Sequence, residues 1–401
     1  MSLHTFPRRV LFATFAAGLG ALVAGPSFAN PPGTVDHALQ PVAATARPAA
    51  AIARRPLIQV AVLLDTSNSM DGLIAQAKTE LWRIVNEIAA YKKGGQDPEV
   101  QVALIEYGKQ SIPAAEGHMR VVVPFTTELD RVSEALFALH TDGGDEYCGQ
   151  AIDMAVEALQ WSREPGDFRT IFIAGNEPFT QGRVDFRFSI GKAHQADIAV
   201  NTIHCGTRDE GIRGAWQNGA ELGHGAFMAI LQNERQVMVA TPYDAEISRL
   251  GEKMNETYVG YGHRGAAAKA RQVAQDSNAE AAGGGASVER SLTKSKAAVY
   301  SNDDWDLVDA RKKGKADVKT MAPAALPAEM QAMSAPEREA FVEKKSKQRT
   351  ELQSKLNTLD AKRKKFIAEA VKSGADKDKN TFDAAMRTTL KVQLEARSFG
   401  E

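Results

Sequence analysis

Cysteine is scarce: two in 401 residues are too few for a disulfide scaffold or a Cys-rich zinc site. Charge of one sign is missing as well. Against 49 Lys and Arg stand 50 Asp and Glu, and the net charge of -1 excludes a chain that is basic throughout and coated in nucleic acid. Past the N-terminus there is no apolar stretch of roughly 20 residues, so the mature chain is expected to be soluble. There is no Gly-x-Ser-x-Gly nucleophile elbow, and the run Gly283–Gly285 lacks the Gly-Lys-Ser/Thr that would make it a phosphate loop. What is present is ordinary for a folded protein: 43% hydrophobic and 25% charged residues exclude wholesale disorder. The near-zero charge hides an asymmetry. Residues 311–401 carry 21 basic against 13 acidic side chains, while the first 310 carry 28 against 37, so an acidic body precedes a basic tail.

The N-terminus reads as an export signal. Arg8-Arg9 precede the apolar run Val10–Ala24, and Ser27-Phe28-Ala29 supplies a small-x-small end, with cleavage expected after Ala29. No Ser or Thr precedes the arginine pair in the place a twin-arginine signal needs, which favours the general secretory route. The mature protein is therefore expected in the periplasm or secreted, in an oxidising compartment.

Residues 30–55, rich in Pro and Ala, read as a tether. From 56 to 240 apolar runs alternate with amphipathic segments. Strands are predicted at 57–64, 100–107, 120–125, 170–174, 198–205 and 226–231. Helices are predicted at 73–90, 129–139, 151–161 and 211–222. This alternation implies an α/β domain with a doubly wound, mostly parallel sheet. Residues 241–320 read as a helical extension and linker, with a flexible break at Gly283–Gly285. Residues 321–401 read as a basic helical tail, coiled-coil-like over 337–372, where Lys345, Gln348 and Arg363 interrupt the apolar stripe. A last helix, 382–395, is expected to fold back on it. Stretches 279–300 and 311–335 are expected to be the exposed, protease-sensitive connections.

The chemistry concentrates after the first strand, in Asp65-Thr66-Ser67-Asn68-Ser69. Strand C-termini of a parallel sheet line its ligand crevice. Alternation around a tight loop lets the Asp65 carboxylate and the Ser67 and Ser69 hydroxyls converge, a hard-oxygen set suited to Mg²⁺ or Mn²⁺. Capping of the following helix is the alternative, but a cap needs one such residue rather than three.

Asp-x-Ser-x-Ser in this position resembles the metal-ion-dependent adhesion site of von Willebrand factor type A domains, over roughly residues 56–240. The resemblance implies ligands from two further loops. The second, Gly143-Gly144-Asp145-Glu146-Tyr147-Cys148-Gly149, has Glu146 where the family usually has Thr. The third, Ala174-Gly175-Asn176-Glu177, has Asn176 where it usually has Asp. One acid is gained and one lost, so the set keeps two carboxylates; Asp145 or Glu177 could also reach in. The stretches GGDEYCGQAI, IFIAGNEPFTQG and NTIHCG resemble a branch of exported bacterial proteins carrying this domain. Cys148, in the second loop, and Cys205, at the end of the fifth strand, are both expected at the same end of the sheet, where they could form a disulfide.

Other ligand schemes have less support. His204-Cys205 lacks two further soft ligands for zinc, and Ser67 lacks a base to make it a nucleophile. The resemblance implies an exported protein-binding module of adhesion or assembly, not an enzyme, whose Mg²⁺ or Mn²⁺ coordinates an Asp or Glu of a partner protein. Nucleic acid is not an expected partner; the basic run Lys362–Lys365 reads as a solvated face or as a contact with an envelope surface. The rival readings are a metal-dependent hydrolase with Glu177 as base, and a scaffold with a purely structural cation.

Overall fold

The computed structural model describes residues 54–231, 239–283, 285–370 and 381–400. The expected leader, 1–29, and nearly all of the 30–55 tether lie outside them. Strand β1 (Leu57–Asp65) leads into helix α1 (Asp71–Ile88) through one 3₁₀ turn, Asn68–Met70. There follow β2 (Lys92–Lys93), β3 (Glu99–Tyr107), β4 (Arg120–Thr126), α2 (Leu129–Ala138), α3 (Cys148–Ala158), β5 (Phe168–Gly175), α4 (Phe186–Gln195) and β6 (Ala199–Cys205). Then come α5 (Arg208–Arg213), α6 (Trp216–Leu222) and β7 (His224–Ile230). The sheet order is β4-β3-β1-β5-β6-β7, parallel except for the β3–β4 pair. This is the expected doubly wound, type A-like α/β architecture with a helical C-terminal region. The chain leaves β1 toward β3 on one side and later returns to β5 on the other. That reversal opens a crevice at the C-terminal end of β1.

Alternation along the strands sorts the core onto two faces. Ile58, Val60 and Leu64 of β1 pack with α1 and α2, whereas Ala61 and Leu63 pack with α3 and α4. Two elements depart from expectation. Helix α4 was not foreseen, because its sequence FRFSIGKAHQ carries Gly191 and only a short apolar stripe. The segment read as one helix over 211–222 is two, broken at Ala215, whose φ of 66° is left-handed. Strand β4 runs antiparallel at the sheet edge, as a mostly parallel sheet allows.

After β7 the chain makes a long helical excursion: α7 (Asp244–Asn255), α8 (Gly262–Ala282), α9 (Ala286–Ser295), α10 (Leu307–Lys312), α11 (Ala328–Gln331) and α12 (Ala335–Ala370). It then returns to the sheet domain with α13 (Phe382–Ala396) and β8 (Phe399–Gly400), which pairs with β2. Far from being an exposed linker, α9 is buried along nearly its whole length. Its Arg290 bonds Asp130 at 2.6 Å and Asp276 at 2.5 Å and stacks 4.5 Å from the Trp82 ring, while Lys294 bonds Asp276 at 2.6 Å. Buried charges persist only when paired in this way, and losing one partner is costly. The 311–335 stretch also packs, burying Val318, Leu326 and Met330. In α12 the buried positions include Val342, Arg349, Leu356 and Arg363, one heptad apart. Arg363, read as an interruption, is an anchor: it bonds Asp244 at 3.0 Å and Glu289 at 2.9 Å. Arg349 bonds Asp306 and Asp309, each at 2.7 Å, and covers the Tyr258 ring at 3.9 Å. Among the described residues, no helix is long and apolar enough to cross a membrane.

Helix α13 packs on α1 and β7 rather than folding back on α12. It places Phe382, Met386, Leu390 and Leu394 in the same core as β1 and α1. Gln393 donates to the buried Asn201 of β6 at 2.7 Å, and Arg397 pairs with Asp197 at 2.6 Å. The C-terminal segment is therefore part of the sheet domain and not a detachable tail. Leu390→Ala is expected to lower unfolding free energy by about 2–5 kcal/mol. Urea denaturation of the full chain reads this directly, and an unchanged midpoint would show that α13 adds nothing to the core.

Candidate functional site

Asp65 is the last residue of β1 and is fully buried, at 0% exposure. Its Oδ1 accepts the Ser67 amide at 2.8 Å, which folds the chain into the tight turn before α1. The turn is anchored from both sides: the Thr66 amide donates to Tyr107 O and the Asp142 amide to Thr66 O, each at 2.8 Å. Ser67 occupies the cap position of the 3₁₀ turn but makes no side-chain cap bond. Its Oγ lies 3.2 Å from Ser69 Oγ, which in turn donates to Asn176 Oδ1 at 3.4 Å.

Glu146 comes in from the loop before α3, 5% exposed, its amide held by Gln181 Oε1 at 2.8 Å. Its side chain adjoins that of Asp65 beside Gly108. Gly108 shows how tightly the two acids are packed. A Cβ there would sit 2.7 Å from Asp65 Oδ1 and 3.0 Å from Glu146 Cγ, and the residue's φ of 74° already favours glycine. The structure thus brings together all five predicted residues, Asp65, Ser67, Ser69, Glu146 and Asn176, as a connected set. The two suggested alternates stay outside it. Asp145 accepts the Tyr147 hydroxyl at 2.7 Å on the exposed side, and Glu177 is exposed at the rim.

Electrostatics sets Asp65 and Glu146 apart from their neighbour. Glu106, also fully buried at this end of the sheet, is paired with Arg120 at 2.5 Å and Lys109 at 3.5 Å. Among the described residues, no basic side chain pairs with Asp65 or Glu146, and Asp65 Oδ2 is buried with no hydrogen-bond partner. Burial, and then the adjoining Glu146 carboxyl, hold the Asp65 carboxyl well above the usual carboxylate range. Such a pair asks for a proton or a cation. No group of three or more His, Cys, Asp or Glu converges among the described residues. A cation here would rest on two carboxylates, hydroxyls, an amide oxygen and water, which suits hard Mg²⁺ or Mn²⁺ rather than a thiophilic metal.

Residue types alone did not reveal two further participants, Tyr107 and Gly108. Tyr107 is fully buried, donates to Ala174 O at 2.9 Å and meets Cys148 Sγ at 3.8 Å, forming the floor beneath the acids. The only sequence signal was the Tyr-Gly pair closing β3.

The expected Cys148–Cys205 disulfide is absent: both are free, buried thiols. Cys148 belongs to the core on the α3 face and Cys205 to the core on the α1 face, so the sheet itself lies between them. Both do reach the same end of the sheet, but side chains alternate along a strand, and Cys205 falls on the far side. Burial pushes both thiols well up, leaving them unreactive.

Residues 60–176 match the von Willebrand factor type A domain model. The match ends at Asn176, so it spans β1 through the third site loop. A search of curated proteins finds no match. Similar solved structures include the conserved hypothetical protein BatB from Bacteroides thetaiotaomicron, 18% identical, covering 43% of this chain and 90% of that one at a TM-score of 0.33. An aerotolerance-related membrane protein from Bacteroides fragilis is 17% identical, with 44% and 93% coverage and a TM-score of 0.31. Proximal thread matrix protein 1 from the mussel byssus, described with a zinc-occupied MIDAS motif, is 12% identical, with 44% and 42% coverage and a TM-score of 0.31.

The Asp65 environment fixes a pH dependence. In cation-free protein the folded state holds the Asp65 proton more tightly than the unfolded chain does. Stability should therefore fall as pH rises from the ordinary carboxylate range through the raised value, and level off above it. Asp65→Asn should flatten that slope and raise the cation-free melting temperature at neutral pH. Thermal melts in EDTA across pH 4–8 check this; a wild type whose stability rises with pH in that window would contradict it.

Proposed function

We propose that this protein is an exported, divalent-cation-dependent protein-binding module. Mg²⁺ or Mn²⁺ would sit at the crest of the sheet, held by Asp65, Ser67, Ser69, Glu146 and Asn176 directly or through water, and a partner's Asp or Glu would complete its coordination. The observation carrying this reading is the pair of buried carboxyls that have no basic partner among the described residues, beside a carboxylate that has two. A protein that neutralises Glu106 with Arg120 and Lys109 but leaves Asp65 and Glu146 unmatched has left room for a cation. Von Willebrand factor type A domains generally mediate protein–protein interaction, which favours a partner over a substrate. The Arg8-Arg9 leader and the small-x-small Ser27–Ala29 end support export to the periplasm or beyond. The exposed lysines of α12 around Lys362–Lys365 offer a second contact with an anionic envelope surface.

Cation binding to the native state alone raises apparent stability, by about 2.7 kcal/mol at a hundredfold excess over Kd. Mn²⁺ and Mg²⁺ should raise the melting temperature of the wild type, EDTA should reverse the effect, and Asp65→Ala should abolish it while retaining the helical signal. A wild-type melting temperature indifferent to both ions would end the proposal.

A further inference from the structure

Asn176 also lines a surface cleft of about 420 Å³ whose other lining residues take no part in the cation site. Its floor is the end of β6, His204-Cys205-Gly206. One wall is Pro178 and the other is Glu210, Arg213 and Gly214 from α5 and its end. Backbone bonds hold the walls in place, with Phe179 N donating to Gly214 O at 2.8 Å and Trp216 Nε1 to Glu177 O at 2.8 Å. The hollow depends on glycine: a Cβ on Gly206 would come within 2.7 Å of His204 Nε2 and 3.2 Å of Glu210 Oε2.

The polar groups facing this space are unequally engaged. Glu210 is occupied, its Oε2 accepting the Thr207 amide at 2.9 Å and hydroxyl at 2.6 Å in a capping box. Arg213 is exposed and makes no hydrogen bond or ion pair among the described residues, whereas the nearby Arg208 is spent on the Phe227 ring at 5.0 Å. His204 is 4% exposed and packs 5.7 Å from Trp216; its Nδ1 is buried without a partner, and its Nε2 is the ring nitrogen that lies against Gly206 at the cleft. A guanidinium at the rim and a buried imidazole on the floor therefore stand ready beside the cation position. A carboxylate is the group both can donate to, and arginine's planar fork suits it.

We infer that the partner presents two carboxylates on one short segment, one for the cation and a second for this cleft, where Arg213 and His204 receive it. The inference rests on the cation reading above and deepens it. A lone Asp or Glu on a cation is common to many surfaces, and a second anchored carboxylate is what would give selectivity.

The test uses the full chain and fluorescein-labelled Gly/Ser peptides bearing either one Asp, or an Asp with a Glu one, two or three residues away. Binding is followed by anisotropy in Mn²⁺ and in EDTA. At least one two-acid peptide should bind wild type roughly tenfold tighter than the one-acid peptide in Mn²⁺, the gain expected of one charge-assisted contact. Arg213→Ala should bring that ratio to about one, while leaving the Mn²⁺ melting shift and one-acid binding as in wild type. Mn²⁺-dependent one-acid binding with no two-acid preference, or a preference that survives Arg213→Ala, would overturn the cleft and leave the cation reading standing. Peptide binding indifferent to Mn²⁺ and EDTA would overturn both.

Discussion

Two carboxyl groups, Asp65 and Glu146, are pressed together out of water, and among the described residues no positive side chain meets them. Much of the upper part of the domain is arranged to keep them so. Asp65 arrives because β1 ends where the sheet reverses its direction of growth, and Glu146 because the α3 loop is bonded to the Thr66 turn and to Gln181. Gly108 is needed because no side chain fits between them and the β3 strand end. Burying uncompensated carboxylates works against the fold. A site retained under that cost is better explained by what it can bind than by what it adds to stability.

The rest of the chain offsets that cost with charge handled in the opposite way. In the helical excursion three buried arginines each have two acids against them: Arg290 with Asp130 and Asp276, Arg349 with Asp306 and Asp309, Arg363 with Asp244 and Glu289. These pairs fasten the helical excursion to the sheet domain. Helix α13 then closes the domain from the far end of the sequence. The excursion lies between β7 and α13, so it behaves as an insertion in a discontinuous domain rather than as an appended tail.

The strands and the first site loop were legible in the sequence because buried parallel strands read as short β-branched and leucine runs, and LIQVAVLLD has no rival reading. The Asp65-Thr66-Ser67-Asn68-Ser69 loop could be placed because only a strand C-terminus would explain it, and Glu146 and Asn176 because their loops resembled a known site. What escaped was set by long-range contact. Arg349 and Arg363 look like surface residues until Asp306 and Asp244 are placed opposite them. Helix α9 looks polar and exposed until its charges find partners on α2, α8 and α12. The cysteines were placed at the correct end of the sheet, but which face Cys205 takes depends on a one-residue alternation that a list of strand ends does not carry. The cleft by Arg213 was invisible, since it is made by the side chain that Gly206 lacks.

The central claim is that a divalent cation belongs between Asp65 and Glu146, and anomalous scattering from crystals grown in Mn²⁺ addresses it without relying on activity or stability. The account predicts one strong peak bounded by Asp65, Glu146 and the Ser67–Ser69 hydroxyls, with oxygens at about 2.0–2.2 Å, as hard octahedral ions require. No Mn²⁺ at that position, with the two carboxyls instead sharing a proton, would contradict it.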